Sequence, residues 1–382
     1  MSVTGPGGFR AAGVAAGLKA GELDLALVVN DGPLDAAAGV FTANRVKAAP
    51  VLWSEQVLRG GRVRAVVLNA KYANACTGPA GFAVTHSTAE AVGAALGVGA
   101  GEVAVCSTGK IGEPPPLAVL TKGVVEAAAQ LSADGGADAA AAILTTDTVT
   151  KQVLISGDGW SVGGMAKGAA MLAPALATML CVLTTDAVVE PADLDRALRE
   201  ATRLTFDRVD SDGCMSTNDT VLLLASGSSG VMPEAGVFAA AVRAACADLA
   251  RQLLADAEGA TKDVAIEVVG AATEGDALEV ARAVSRSNLL KCALYGEDPN
   301  WGRILAAVGT TAAAFDPLVL DAAINGVWVC RDSAPGDDIG TVDLSGRDVR
   351  LTVDLRVGSA SATVWSNDLT AAYVHENSAY ST

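Results

Sequence analysis

Three short polar clusters interrupt an otherwise apolar sequence, and each contributes hydroxyl groups that could take part in catalysis. They are Ser107-Thr108-Gly109, Thr145-Thr146-Asp147-Thr148 and Ala177-Thr178. A threonine hydroxyl is a weak nucleophile at its own pKa and needs a base beside it. Threonine is also common at strand ends and helix caps, so no single cluster identifies an enzyme.

The other residue types that often carry chemistry are scarce. The chain has two histidines, His86 and His375, so a Ser/His/Asp triad or a histidine metal site has few candidate members. Its seven cysteines are scattered and never take the CxxC or Cys/His spacing of a zinc site. We therefore expect buried, reduced thiols and no metal ion.

The composition predicts a folded protein and disfavours some partners. Of the 382 residues, 51% are hydrophobic and 18% are charged, which is far from the composition of disordered chains. The formal net charge of −16 disfavours binding to nucleic acid or to an anionic membrane. No apolar run reaches the roughly 18 to 20 residues of a spanning helix. The amino terminus lacks a secretory signal, so we expect a cytoplasmic protein.

Short apolar runs and helical spacing predict a mixed α/β chain that would position these clusters. Strands are expected at 24–30, 39–42, 63–69, 102–107, 219–225, 263–270, 327–330 and within 350–365. Helices are expected at 86–97, 119–131, 191–203 and 235–257, and a short one within 133–142. A Gly-Asp-Gly turn indicates a hairpin within 150–165. We find no fixed-period repeat and no linker that divides autonomous domains.

Several distinctive strings occur in order along essentially the whole chain. They are FTANRVKAAPV (41–51), NACTG (74–78), STG-x-IG (107–112), TTDT (145–148), MAKG (165–168), MLAPALATML (171–180), STNDTV (216–221), EGATK (258–262), KCALYGEDPNWGRI (291–304) and NSAYST (377–382). Together they resemble the ornithine acetyltransferase family, also called bifunctional glutamate N-acetyltransferase/amino-acid acetyltransferase.

This resemblance implies that a precursor cleaves itself between Ala177 and Thr178, giving an α chain of 1–177 and a β chain of 178–382. Thr178 would then be the amino-terminal nucleophile. Its own α-amine, with a reference pKa of about 7.7 to 8.0, could accept the hydroxyl proton without a histidine. The scarcity of histidine fits this chemistry, and no separate protease is required.

The resemblance also assigns roles to individual residues. It places the oxyanion hole at Thr108 and Gly109, where hydrogen-bond donors would stabilise developing negative charge. It places substrate-binding residues at Thr145, Lys167, Thr178, Glu258, Asn377 and Thr382. Lys167 suits an α-carboxylate, and Glu258 suits the cationic side-chain amine of ornithine.

The implied reaction is a two-step acetyl transfer. Acetyl passes from N2-acetylornithine to Thr178, ornithine leaves, and glutamate accepts the acetyl group. No cofactor is expected, although acetyl-CoA remains open as an alternative donor. The implied fold is α/β, with two mixed subdomains of layered sheets and helices and the site between them, and the implied assembly is a dimer of α/β heterodimers.

The sequence departs from the family pattern near the expected site. Where the family usually reads NSGxANACTG, this chain has Ala70-Lys71-Tyr72, so a lysine replaces a glycine. Lys110 and Pro114-Pro115-Pro116 alter the segment after the expected oxyanion hole, and Thr150 replaces a proline. Three alternatives therefore stay open: a variant that accepts another amino acid or acyl group, an amidase or aminopeptidase that uses water, and an inert binding protein.

Overall fold

The computed structural model describes residues 2–171 and 179–379, and it has the mixed α/β architecture that the sequence predicts. Three sheets contain all fifteen strands of the described residues. Their members are β1 (Phe9–Val14), β2 (Leu25–Asn30), β3 (Ala36–Phe41), β4 (Ala65–Asn69), β5 (Val103–Ser107), β6 (Lys151–Ser156), β7 (Ser161–Lys167), β8 (Leu180–Thr185), β9 (Thr220–Ala225), β10 (Asp263–Ala271), β11 (Asp321–Ile324), β12 (Val327–Arg331), β13 (Ala334–Pro335), β14 (Asp348–Asp354) and β15 (Ala360–Asn367).

Ten α-helices lie in the described parts of the chain, and several of them cover the outer faces of these sheets. They are α1 (Ala49–Leu58), α2 (Gly78–Leu96), α3 (Leu117–Ala129), α4 (Gly136–Ala142), α5 (Pro191–Leu204), α6 (Ala235–Ala255), α7 (Glu274–Ser285), α8 (Asn288–Tyr295), α9 (Trp301–Val308) and α10 (Ala371–Ala379). In the described part of the chain, no helix is both long and apolar enough to cross a membrane.

The first two sheets stack face to face between two layers of helices. The first has the order β1-β2-β4-β5 and the second has the order β3-β9-β8-β7-β6. Val66 and Leu68 of the first sheet meet Val182 and Leu222 of the second in one buried cluster. Helices α2 and α3 cover the other face of the first sheet, and α5 and α6 cover the other face of the second. The result is a helix–sheet–sheet–helix arrangement, in which the strands are apolar on both faces.

The third sheet forms a separate layer near the carboxyl terminus. Its order is β13-β12-β11-β14-β10-β15, with β10 and β14 parallel. It shares one apolar cluster with α7, α8 and α9. The described chain therefore contains a four-layer unit and a smaller α/β unit.

The expected cleavage position does not separate these two units. Strands β6 and β7 precede residue 177, β8 and β9 follow it, and all four lie in the second sheet. Strands β7 and β8 pair along six positions, from Val162 with Thr185 to Lys167 with Leu180. Segments 1–177 and 178–382 are thus interleaved within one sheet, and the division into two chains stays a prediction.

Several elements differ from the sequence expectations. Helix α2 starts at Gly78, eight residues before the expected 86, because Pro79 occupies its first turn, where a missing N–H costs nothing. The sequence did not predict helices α1, α7, α8, α9 and α10 or strands β1, β8, β11 and β13. The cysteines are free, but Cys76, Cys214 and Cys292 are exposed, so the expectation of burial was wrong for these three.

Candidate active site

The site lies where strand ends of the two stacked sheets come together. Thr108 directly follows β5 of the first sheet, and Lys167 is the last residue of β7 in the second. Both are buried, and Lys167 is 2% exposed. The ammonium of Lys167 donates to Thr108 Oγ1 over 3.4 Å. Two residues that are 59 positions apart in sequence are therefore neighbours, as the family resemblance requires.

Asp147 joins a second cluster to this pair. Its side chain is fully buried, and its Oδ2 lies 3.8 Å from the Lys167 ammonium. The same oxygen accepts a hydrogen bond from Thr145 N at 3.1 Å, while Oδ1 accepts one from Gly168 N at 2.6 Å. One carboxylate thus fixes the positions of Thr145 and Lys167 relative to each other.

A second lysine extends the buried network. Lys151 Nζ donates to Asp147 Oδ1 at 2.7 Å and to Asp256 Oδ2 at 2.5 Å. The backbone N–H of Thr148 also donates to Asp256, at 3.0 Å. Since burying a charge is costly unless it is paired, this alternation of cations and anions keeps the network stable.

The charges in this network shift each other's pKa. Burial alone would raise the pKa of Asp147, but Lys167 and Lys151 outweigh it and hold that pKa well below its usual range. Burial lowers the pKa of Lys167, and the carboxylates of Asp147, Asp219 and Glu258 oppose that shift. A buried ammonium with a perturbed pKa is typical of a functional site.

The chain around Gly109 is built for close backbone approach. Gly109 has φ of +123°, and a Cβ there would lie 2.2 Å from the carbonyl carbon of Lys71. The following N–H, of Lys110, donates to Lys71 O at 2.8 Å. Glycine is therefore required at 109, and the segment after Thr108 is held against the 70–77 loop.

Glu258 and Asn377 form another part of the candidate site. Asn377 Nδ2 donates to Glu258 Oε2 at 2.9 Å. The backbone N–H of Glu258 donates to Ala169 O at 2.8 Å, two residues after Lys167. The structure therefore brings Glu258 and Asn377 to the same strand end as Lys167.

Ala177, Thr178 and Thr382, which carry the expected cleavage, nucleophile and terminal binding roles, lie outside the described residues. The residue after Thr178, Met179, is described, and its backbone N–H donates to Asp219 Oδ1 at 3.1 Å. Asp219 is fully buried, and burial raises the pKa of its carboxyl well above the ordinary value. Leu180 pairs with Lys167, so the chain that follows residue 178 enters the sheet beside that lysine.

Sequence reasoning missed several residues of this site. The sequence showed Asp147 only as part of a polar turn. Its ion pair with Lys151 gave no helical i, i+4 signal, because Lys151 begins strand β6 and neither residue lies in a helix. Asn218, whose Nδ2 donates to Ser107 O at 2.8 Å, and Asp219 lie in the STNDTV string but received no role. Asp256 offered no signal, because its contacts join segments 105 residues apart.

Cavity volume alone does not identify the site. A cavity of about 310 Å³ lies beside Gly109 and Thr145. Another of about 300 Å³ lies between α6 and Trp365 and contains none of the predicted site residues. Within the described ranges, no group of three or more His, Cys, Asp or Glu residues is arranged to hold a metal ion.

Comparison with known proteins identifies the family. The ArgJ family model matches residues 10–382. The chain is 65% identical to the arginine biosynthesis bifunctional protein ArgJ of Streptomyces coelicolor over 382 residues, which cover all of both chains. The chain belongs to the ArgJ family. It is therefore an enzyme of arginine biosynthesis, and the resemblance to the ornithine acetyltransferase family is confirmed.

Other relatives of this ArgJ-family chain agree. The ArgJ protein of Mycobacterium tuberculosis is 59% identical over 390 residues, covering 100% of this chain and 96% of the relative. Among solved structures, ornithine acetyltransferase from M. tuberculosis in complex with ornithine is 61% identical, covers 47% of this chain and 96% of its own, and has a TM-score of 0.45. The ArgJ structure from Bacillus halodurans is 35% identical over 52% of this chain, with a TM-score of 0.48.

Proposed function

We propose that this enzyme cleaves itself at Ala177-Thr178 and then transfers acetyl from N2-acetylornithine to glutamate through Thr178. In maturation, the Thr178 hydroxyl attacks the Ala177 carbonyl carbon, the peptide C–N bond breaks, and the freed nitrogen takes a proton. Water then hydrolyses the resulting ester and restores the hydroxyl. Thr178 keeps both a nucleophilic oxygen and an α-amine that can act as its base.

The observation that carries this proposal is the state of Lys167. Its ammonium is buried, yet among the described residues its recorded partners lie at 3.4 Å and 3.8 Å, which is long for a charged group with three donors. An α-carboxylate of an amino-acid substrate would complete its coordination. The neighbouring Thr145 and the paired Glu258 and Asn377 supply further polar contacts for the same ligand.

In the acyl-transfer steps, Thr108 and Gly109 would stabilise the oxyanion. Thr108 lies next to the Lys167 cation, and Gly109 permits close approach of backbone donors. Removing one such donor typically costs about 2.7 to 4 kcal/mol of transition-state stabilisation. Glu258 would pair with the side-chain ammonium of ornithine, and Thr382 would be a further substrate-binding residue.

The two products of cleavage would remain one enzyme. Since β7 and β8 pair along six positions across the proposed cut, breaking one peptide bond leaves the shared sheet intact. We propose the assembly of the family, two such α/β heterodimers, and a cytoplasmic location. Acetyl-CoA could serve as a second acetyl donor, and no resident cofactor is required for the transfer.

Intact mass spectrometry of wild type and Thr178→Ala tests the cleavage. Dividing 38.2 kDa in proportion to 177 and 205 residues gives pieces of about 18 and 20 kDa for the wild type. Thr178→Ala should remain whole, while Thr184→Ala, which alters a buried threonine on β8, should still split. A wild-type chain that stays whole would remove the support for Thr178.

Product analysis tests the transfer. Purified enzyme with N2-acetylornithine should release ornithine and form N-acetylglutamate in equal amounts when glutamate is present. Glutamate-independent release of ornithine with acetate as the other product would instead indicate an amidase that uses water.

A further inference from the structure

A cavity of about 310 Å³ beside the proposed oxyanion hole is lined by cationic side chains. Lys19, Lys71 and Lys110 border it, together with Gly109 and Thr145. Glu113 is the one acidic residue among the described lining residues. The cavity therefore combines two residues of the proposed site with a net positive lining, which favours an anionic group.

The three lysines are not equally available. Lys19 Nζ donates to Leu144 O at 2.7 Å, and Lys110 Nζ pairs with Glu113 at 2.7 Å. Lys71 is exposed, and in the described ranges its ammonium has no hydrogen bond or ion pair. Lys71 is thus the cation in this cavity with its full capacity to bind a ligand.

Lys71 is also held in a conformation that its residue type disfavours. Its φ is +74°, in the left-handed region, where the Cβ of an L-residue crowds the backbone. The contact with Gly109 and the hydrogen bond from Lys110 N lock it there. Glycine is the residue that adopts this conformation without cost. A lysine held in this strained conformation points to a gain that offsets the strain.

We propose that Lys71 binds the side-chain carboxylate of the acidic amino acid that accepts the acetyl group. This inference rests on the proposed function and deepens it, since it assigns an acceptor-selecting residue. The donor, N2-acetylornithine, has a cationic side chain, which Lys71 would repel and Glu258 would attract. Glutamate has an anionic one, which Lys71 would attract. With the cation of Lys71 and the anion of Glu258 at two different positions, one site could accept both substrates in turn.

The test measures the KM of wild type and of Lys71 variants for two acceptors that differ in charge. Lys71→Met and Lys71→Gly are compared with wild type, with glutamate or glutamine as acceptor. We expect the KM for glutamate to rise about tenfold in both variants, equivalent to about 1.4 kcal/mol. The KM for glutamine, which lacks the charge, should stay within twofold. The KM for N2-acetylornithine should not rise and should fall slightly, because its side-chain ammonium is no longer repelled by Lys71.

A stability measurement separates binding from folding. Lys71→Gly relieves the left-handed strain, so its Tm should equal or exceed that of wild type while its selectivity for glutamate falls. Lys110→Met is the matched control: that lysine borders the same cavity but is already paired, so its glutamate KM should change less than threefold.

The outcomes separate the inference from the proposed function. Unchanged glutamate KM in both Lys71 variants, or equal losses with glutamate and glutamine, overturns the role of Lys71 while leaving acetyl transfer standing. If the wild type transfers acetyl to no amino acid, the proposed function fails first and the inference falls with it.

Discussion

Two buried lysines, Lys167 and Lys291, are held in opposite ways. Lys291, on α8, donates to Ser211 O at 2.5 Å, to Ser366 Oγ at 3.2 Å and to Asn367 O, so all three of its protons have acceptors. Lys167 has one hydrogen bond, at 3.4 Å, and one ion pair, at 3.8 Å, among the described residues. Burial lowers the pKa of both, to about 8 for Lys291.

The difference separates a structural cation from one prepared for a ligand. Lys291 joins α8 to the end of β15 and to the loop at Ser211, and its contacts are complete without any further molecule. Lys167 bears the cost of burial with incomplete coordination. Burial and pKa alone would not distinguish the two lysines, whereas the count and length of their hydrogen bonds do.

Among these variants, Asp147→Asn should cause the largest combined loss of stability and activity. It removes the one carboxylate that forms an ion pair with Lys167 among the described residues, while Lys151 keeps Asp256. An uncompensated buried charge costs about 3 to 5 kcal/mol, so the free energy of unfolding should fall by that order. The rate of acetyl transfer at low N2-acetylornithine should fall as well, because Thr145 and Lys167 lose their common anchor. Denaturant unfolding and initial-rate kinetics measure the two effects.

Asp210→Asn is the control for that variant. Asp210 is also fully buried, but it pairs with Arg286 at 2.8 Å, and within the described residues no hydrogen bond or ion pair joins it to Lys167 or Asp147. It should lower stability and leave the KM for N2-acetylornithine unchanged. Equal kinetic effects of the two variants would show that Asp147 has only a structural role.

Lys167→Met should reduce activity strongly and stability little. Losing a buried charged contact to a substrate carboxylate typically costs about 2 kcal/mol or more, so kcat/KM for N2-acetylornithine should fall at least about thirtyfold. Asp147 retains Lys151, and an apolar side chain avoids the burial cost of an ammonium, so the unfolding free energy should stay within about 1 kcal/mol of wild type. A large loss of stability would place Lys167 in the same class as Lys291.

Lys291→Met should show the reverse pattern. Three buried acceptors lose their donor, which should lower the free energy of unfolding by about 2 to 4 kcal/mol. Once folded, the variant should transfer acetyl at close to the wild-type rate, because the contacts of Lys291 lie at the joint with the carboxyl-terminal unit. Thermal unfolding and kinetics below the transition test this. A hundredfold loss of activity in folded Lys291→Met protein would remove the distinction between the two lysines.

The sequence predicted the elements whose pattern is local and missed those that depend on tertiary contact. The apolar strand at 24–30 and the helices at 191–203 and 235–257 agree with β2, α5 and α6 within a few residues. Helices α8 and α9 are eight residues each, too short for clear periodicity, and their packing against the third sheet defines them.

The same limit applies to the site. The resemblance brought Thr108, Lys167 and Glu258 to attention, and the structure places them at neighbouring strand ends. The resemblance gave no indication of Asp256, because this residue reaches Lys151 only when α6 packs beside β6. The resemblance also singled out Lys71 as a departure from the family pattern. It did not predict the left-handed conformation of Lys71, which the contact with Gly109 imposes. Long-range contacts of this kind leave no spacing for a single sequence to reveal.

The smallest and most specific effect is expected in the pH profile of kcat/KM, on its alkaline side. Binding of the substrate carboxylate needs Lys167 as an ammonium. Since burial lowers its pKa from 10.5, kcat/KM for N2-acetylornithine should fall as pH rises through a value below 10.5. Over the same window the unfolded chain binds more protons than the folded one, so the contribution of Lys167 makes the free energy of unfolding rise with pH. Activity and this part of stability should thus move in opposite directions.

Asp147→Asn sharpens this pH test because the carboxylate of Asp147 raises the pKa of Lys167. Its removal should move the alkaline limb of kcat/KM to lower pH, while Asp210→Asn should leave the limb in place. Lys167→Arg, which stays charged to higher pH, should retain residual activity beyond the wild-type limb. If the alkaline limb of kcat/KM stays at the same pH in all three variants, it reports another group, for example the side-chain amine of the substrate. Lys167 would then not be the titrating group that binds the substrate carboxylate.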